Sequence, residues 1–190
     1  MRCCWSAANR AIICRTSARH RRSRCLPKCC LPRLWVPAGQ PFRSPAEECS
    51  AWQERLPADW ERARRPFERA LLDAALAAME WLSNTQGEQV LLHQDLHGDN
   101  VLCARRERWL AIDPKPLVGE RELSLAPIIR SHEFGHSRAD VVRRLDVLST
   151  ALRLGRERRR LWVLVQTLAW GFEGAVYDKH VETARWLWEA

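Results

Sequence analysis

Between Gln89 and Pro116 short apolar runs alternate with polar turns, and this stretch constrains the fold more tightly than any other. Gln89-Val90-Leu91-Leu92-His93 has the length and composition of a strand. A polar loop from Gln94 to Asn100 separates it from Val101-Leu102-Cys103. Arg105 to Arg108 form a charged turn, and Trp109-Leu110-Ala111-Ile112 is a further short strand running into Asp113. Pro114 and Pro116 are expected to stop strand pairing at that point, because proline cannot donate to a ladder. The segment predicts a small strand hairpin with a loop at its mouth.

Helical periodicity dominates on either side. Residues 45–57 read as a short helix or linker carrying Trp52. Pro66 suits a first helical turn. Phe67, Leu71, Leu72, Ala75, Leu76, Met79 and Leu82 then follow at helical spacing until Asn84 and Gly87 end the run. Further helices are predicted at roughly 122–131, 138–153, 157–173 and 178–188. The expected fold class is α+β, mostly helical. Ten tryptophans and a hydrophobic fraction of 46% give it enough apolar surface for a packed core.

Charge and cysteine divide the chain at about residue 44. The first 46 residues hold nine arginines, Lys28 and no acid, against a formal net charge of +8 for all 190 residues, so the body is mildly acidic. That argues against nucleic-acid binding by the body, which would need a basic face. Six of the eight cysteines fall in the first 30 residues, with no paired C-x-x-C framework for a metal. Residues 1–44 are therefore expected to be a disordered basic leader, and 45–190 the folded lobe. No apolar run approaches a membrane span, and the isolated Cys103 suits a reduced compartment, so a cytoplasmic protein is expected.

The chemistry is concentrated in His93-Gln94-Asp95-Leu96-His97-Gly98-Asp99-Asn100, followed by Ile112-Asp113-Pro114-Lys115-Pro116. Phosphoryl transfer requires an acceptor hydroxyl aimed in line and cations to neutralise the transferring group. A carboxylate, an amide five residues later and a second carboxylate beyond a strand hairpin can serve both needs.

These residues resemble the H-x-D-x-x-x-x-N catalytic loop shared by aminoglycoside phosphotransferases and protein kinases. The wider match, V-L-L-H-Q-D-L-H-G-D-N-V-L, then W-L-A-I-D-P-K-P-L-V-G-E-R and the distal H-V-E-T-A-R-W-L, is similar to the streptomycin and hydroxyurea phosphotransferase group. The resemblance implies a protein-kinase-like C-terminal lobe. It implies ATP and Mg2+ as cofactors and a small-molecule hydroxyl acceptor as partner. Asp95 would accept the hydroxyl proton, Asn100 and Asp113 would hold magnesium, and His93 would order the loop.

Two departures qualify this expectation. Ser124 stands where such relatives carry an aspartate in a D-L-A step, and a serine lacks the charge that strengthens loop-ordering hydrogen bonds. Nothing in residues 1–44 resembles an N-terminal lobe, so a truncated enzyme, or a catalytically inactive remnant of one, is expected. A third reading is a zinc hydrolase, since His132-Glu133-Phe134-Gly135-His136 matches H-E-x-x-H, with Glu157 or Glu173 as a distant third ligand. Ala139 and Val142 break the longer form of that motif. Arg156 to Arg160 reads as a solvated helix start. The tryptophans of the last two helices, Trp162, Trp170, Trp186 and Trp188, read as core. Asp99, Glu120, Glu173 and Asp178 are candidate carboxylates for a cationic acceptor, with no substrate contact assigned.

Overall fold

A computed structural model describes residues 31–103, 109–172 and 176–190. The arginine and cysteine cluster of residues 1–30, Lys28, the charged turn at 105–108, Glu173 and the Cys103 side chain lie outside the described residues.

Helix α1 (Leu31–Leu34) is followed by α2 (Pro45–Arg62) and α3 (Arg69–Asn84). Four short strands come next: β1 (Val90–Leu92), β2 (Val101–Cys103), β3 (Trp109–Ala111) and β4 (Leu117–Gly119). The C-terminal part is helical, with α4 (Ala126–Arg130), α5 (Arg138–Leu152), α6 (Arg156–Ala169) and α7 (Asp178–Trp188). Helix α6 lies at the centre and packs on α3, α4, α5 and α7. Its Trp162, Val163, Leu164, Val165 and Leu168 are all buried.

Helix α2 begins where the composition changes, because Ser44 and Glu47 form a reciprocal capping box. The Glu47 N–H donates to Ser44 Oγ at 3.3 Å, and the Ser44 N–H to Glu47 Oε2 at 2.6 Å. It then runs through Pro57 to Arg62, beyond the expected end at 57. Trp52, Leu56 and Trp60 recur every four residues on one buried stripe, which outweighs the hydrogen bond that Pro57 removes. Helix α3 starts at Arg69 and not at Pro66, since residues 63–68 form the turn between the helices. Arg64 and Arg65 adopt left-handed φ there, and the Trp60 indole N–H donates to Phe67 O at 3.0 Å.

The strands form two antiparallel pairs, β1 with β4 and β2 with β3. The expected hairpin is therefore present as β2–β3, but strand pairing does not stop at the prolines. Strand β4 starts directly after Pro116 and pairs Leu117 with Leu92, Val118 with Leu91 and Gly119 with Val90. Pro116 precedes the first ladder residue, so no donor is missing from the ladder. Gly119 is required by packing: a Cβ there would come within 2.5 Å of Pro45 Cγ at the start of α2.

Residues 31–44, assigned to the leader from composition, pack on this body. Leu31 is 1% exposed. The Leu91 N–H donates to Val36 O at 2.8 Å, the Val118 N–H to Arg43 O at 2.9 Å, and the Trp35 indole N–H to Ser124 Oγ at 3.2 Å. Residue 45 is thus a helix start inside the packed unit. Ser124 also donates to Arg121 O at 2.6 Å, so it serves the approach to α4.

The basic run at the start of α6 is not a solvated face. Arg159 is fully buried and donates to Ser149 Oγ, and burial pushes its guanidinium down to about 10. Arg160 reaches Leu187 O on α7. Each arginine clamps a neighbouring element, which composition could not reveal. Of the four tryptophans assigned to the core, Trp162 is fully buried. Trp170 and Trp186 are partly buried, and Trp188 is 39% exposed.

Candidate active site

The loop between β1 and β2 is built from its backbone outward. The Asp95 N–H donates to His93 O at 2.8 Å, the His97 N–H to Asp95 O at 3.1 Å, and the Asn100 N–H to His97 O at 3.1 Å. Leu96 anchors the loop in the core at 0% exposure. Gln94 takes a left-handed φ of 58°, which turns the chain so that Asp95 faces away from the core. Its buried amide oxygen accepts from Gln166 Nε2 at 3.3 Å, and Arg130 Nη1 donates to Gln166 Oε1 at 2.6 Å.

The β2–β3 ladder carries Asp113 back to this loop. The Ile112 N–H donates to Asn100 O at 3.0 Å, which places Asn100 and Asp113 at the same end of the ladder. The Asn100 amide Nδ2 donates to Asp95 O at 2.8 Å, leaving its side-chain oxygen as an acceptor. Asp113 is exposed and has a left-handed φ of 55°.

His93 joins the two halves. Its Nε2 donates to Ile112 O at 2.9 Å, and its carbonyl accepts from the Lys115 N–H at 3.0 Å. Burial holds this imidazole below the usual histidine range, so it is neutral and has one N–H to give.

Asp95, His97, Asp99, Arg130, His132 and Glu133 line an open cleft of about 500 Å³, with Pro127, Ser131 and His180 completing it. His97 Nδ1 lies 3.4 Å from Glu133 Oε1, and its Nε2 lies 3.9 Å from Asp95 Oδ1. The hydrogen bond to Glu133, with Asp95 and Asp99 nearby, raises His97 above its ordinary range, while the bond to His97 lowers Glu133. The two shifts act in different pH windows. The raised His97 contributes stability that is full below about pH 6.5 and lost as pH rises through its folded value. The lowered Glu133 contributes above the ordinary carboxylate range and loses its contribution in acid. Replacing Glu133 with glutamine should therefore cost more stability at about pH 6 than at about pH 8.5. Urea unfolding of both proteins across that range checks this, and a pH-independent difference would contradict it.

The donor atoms of His97, Asp99 and Glu133 lie within 4.8 Å of one another. The H-E-x-x-H geometry is not formed. His132–Phe134 is a single 3₁₀ turn, and Gly135 leaves it at φ 95°, so the two imidazoles do not share a helix face. Arg144 fixes this shape by donating to Ile129 O, Phe134 O and Gly135 O at 2.9 to 3.0 Å. His136 instead approaches Thr183 Oγ1 and Glu182 on α7, and Glu157 pairs with Arg160.

The four residues singled out from the loop motif, His93, Asp95, Asn100 and Asp113, come together at one place. Among the candidate carboxylates Asp99 lines the cleft, Asp178 sits exposed at the start of α7, and Glu120 is buried and structural. Sequence reading assigns no role to Lys115, whose Nζ lies 3.0 Å from Asp95 Oδ2, nor to Arg130 and Gln166, and it places Glu133 only in the H-E-x-x-H match. Lys115 lies inside the motif, but nothing local marks its partner.

Residues 16–181 match the model of a family described as aminoglycoside/hydroxyurea antibiotic resistance kinase. The chain is 38% identical over 138 residues to a streptomycin 6-kinase of Streptomyces griseus, covering 70% of this chain and 45% of that protein. It is 42% identical over 109 residues to a hydroxyurea phosphotransferase of Kitasatospora aureofaciens, covering 56% and 31%. The chain thus spans less than half the length of these relatives. Its fold is similar to the crystal structure of a choline kinase from Streptococcus pneumoniae, with a TM-score of 0.62 and 15% identity over 92% of this chain and 66% of that one.

Proposed function

Since the chain belongs to the aminoglycoside/hydroxyurea antibiotic resistance kinase family, we propose that it contributes the catalytic lobe for ATP-dependent phosphorylation of a hydroxyl on a streptomycin-like aminoglycoside. The observation that carries this reading is the convergence of Asp95, Asn100 and Asp113 at one end of the β2–β3 ladder, beside an open cleft.

Each residue has a separate task. Asp95 accepts the proton of the acceptor hydroxyl and aims that oxygen at the phosphorus. Its loop is held by Leu96 in the core and by the Asn100 amide on its carbonyl, so the carboxylate is positioned before substrate arrives. His93, as a neutral donor to Ile112 O, keeps Asp113 in register with that loop. Asn100 and Asp113 would hold Mg2+: a side-chain amide oxygen and an exposed carboxylate are the hard oxygen donors this ion prefers. When bound, the ion would neutralise charge on the phosphates. Asp99 and Glu133 give the cleft the acidic lining that suits a cationic acceptor.

ATP as donor suits a cytoplasmic protein, and no described helix is long and apolar enough to cross a membrane. The acceptor is a small molecule, and neither nucleic acid nor a lipid surface enters the reading.

The test is transfer of labelled γ-phosphate from ATP, with Mg2+, to streptomycin and in parallel to hydroxyurea. Phosphorylation of streptomycin is the expected result. Transfer to hydroxyurea alone would replace the acceptor, and no transfer to either by folded protein would favour the inactive remnant.

A further inference from the structure

Lys115 follows Asp113 by two residues and sits between Pro114 and Pro116. Its ammonium lies 3.0 Å from Asp95 Oδ2, so it joins the β3–β4 turn to the β1–β2 loop at the proposed reacting carboxylate. The backbone here is constrained on both sides. Each flanking proline fixes its own φ, and the Lys115 N–H is bonded to His93 O at 3.0 Å. The ammonium also stands 5.2 Å from the centroid of the Trp170 ring, which carries the Arg130 guanidinium at 4.4 Å as well.

An ion pair whose lysine is 57% exposed adds little to stability. The constraint therefore serves the carboxylate and not the fold. Asp95 Oδ2 is tied to Lys115, whereas Oδ1 lies 3.9 Å from His97 Nε2, beyond hydrogen-bond reach.

We infer that Lys115 is a positioning residue for phosphoryl transfer, pinning Oδ2 of Asp95 so that Oδ1 is presented to the acceptor hydroxyl in the cleft. This rests on the reading of Asp95 as proton acceptor. In the oriented step, a lone pair of the acceptor oxygen forms the bond to the γ-phosphorus of the nucleoside triphosphate. The bond from that phosphorus to the bridging oxygen breaks, and its electron pair leaves on the nucleoside diphosphate. The hydroxyl proton passes to Asp95 Oδ1, and the Lys115 ammonium keeps all its protons.

The experiment uses the full chain with ATP, Mg2+ and streptomycin, comparing wild type, Lys115→Met and Lys115→Arg, with the methionine variant also combined with Asp95→Asn. Lys115→Met should lower kcat about 10- to 100-fold with acceptor KM changed by less than about twofold. Lys115→Arg should recover most of the rate. In the Asp95→Asn background Lys115→Met should cost nothing more, because a residue acting through Asp95 then has nothing to act on. An active wild type with an unchanged Lys115→Met rate overturns this inference and leaves the proposed function standing. So does a further loss in the Asp95→Asn background, or a lost rate that tracks a lowered Tm. A wild type that transfers no phosphate removes the proposed function, and this inference with it.

Discussion

Replacing Asp95 with asparagine should reduce kcat for phosphate transfer by about 10³-fold or more while leaving the protein folded. The expectation follows from how the loop is held. Asn100 Nδ2 bonds to the backbone oxygen of Asp95, the Asp95 N–H bonds to His93 O, and Leu96 is locked in the core. None of these contacts uses the carboxylate. Asparagine is nearly isosteric, keeps the loop and removes only the proposed proton acceptor and the ion pair to Lys115. That pair is partly exposed, so its loss should cost at most about 1 kcal/mol. Initial rates with labelled ATP, together with urea unfolding of both proteins, separate the two effects. Unchanged transfer by the variant would remove Asp95 from the chemistry. A lost rate accompanied by several kcal/mol of lost stability would make it a structural residue.

The largest effect on stability should come from Glu120→Ala. Glu120 is 2% exposed at the end of β4, and its carboxylate accepts from three donors on two other segments of the chain, α6 and the loop after α3. Arg158 Nε reaches both oxygens at 2.7 Å, the Gly87 N–H donates at 3.1 Å, and the Trp162 indole N–H donates as well. Arg158 in turn donates to Thr85 O at 2.8 Å and lies 4.9 Å from the centroid of the Trp81 ring, closing the end of α3. Truncation would leave a largely buried guanidinium and a fully buried indole N–H without their acceptor. Breaking one side of a buried pair costs about 3 to 5 kcal/mol. By comparison the exposed Arg65–Glu61 pair should contribute under about 1 kcal/mol. Urea unfolding of Glu120→Ala and Glu61→Ala measures both. A Glu120→Ala loss no larger than that of Glu61→Ala would show that water fills the site and that the clamp is dispensable.

The loop motif was legible because its meaning is local. Asp95 and Asn100 are five residues apart, and Asp113 returns through a hairpin whose two short strands are written in Val101-Leu102-Cys103 and Trp109-Leu110-Ala111. Helix α2 was legible only as a short helix or linker over residues 45–57, without its Ser44–Glu47 capping box, whereas α3 was announced by its periodic leucines and alanines. Misreadings arose where a local rule met a distant partner. Pro116 looked like a strand terminator, yet β4 needs no donor before Leu117. The H-E-x-x-H match looked like one helix turn, yet Arg144 from α5 holds its carbonyls in another shape.

Local residue order and spacing determined the helical character of this protein, the hairpin and the four residues around it. These depend on periodicity, capping and loop closure over about 20 residues or fewer, which a chain encodes within itself. Tertiary structure alone decided which charges line the cleft and which are buried in the body. Glu120, a candidate carboxylate for the acceptor, and Arg159, part of a run expected to be solvated, lie in the interior, while Lys115, Arg130 and Glu133 gather at the cleft around Asp95. A side chain's charge is visible in sequence, but its partners depend on which elements pack together. Here Gln94 meets Gln166 across 72 residues, and Glu120 meets Trp162 across 42.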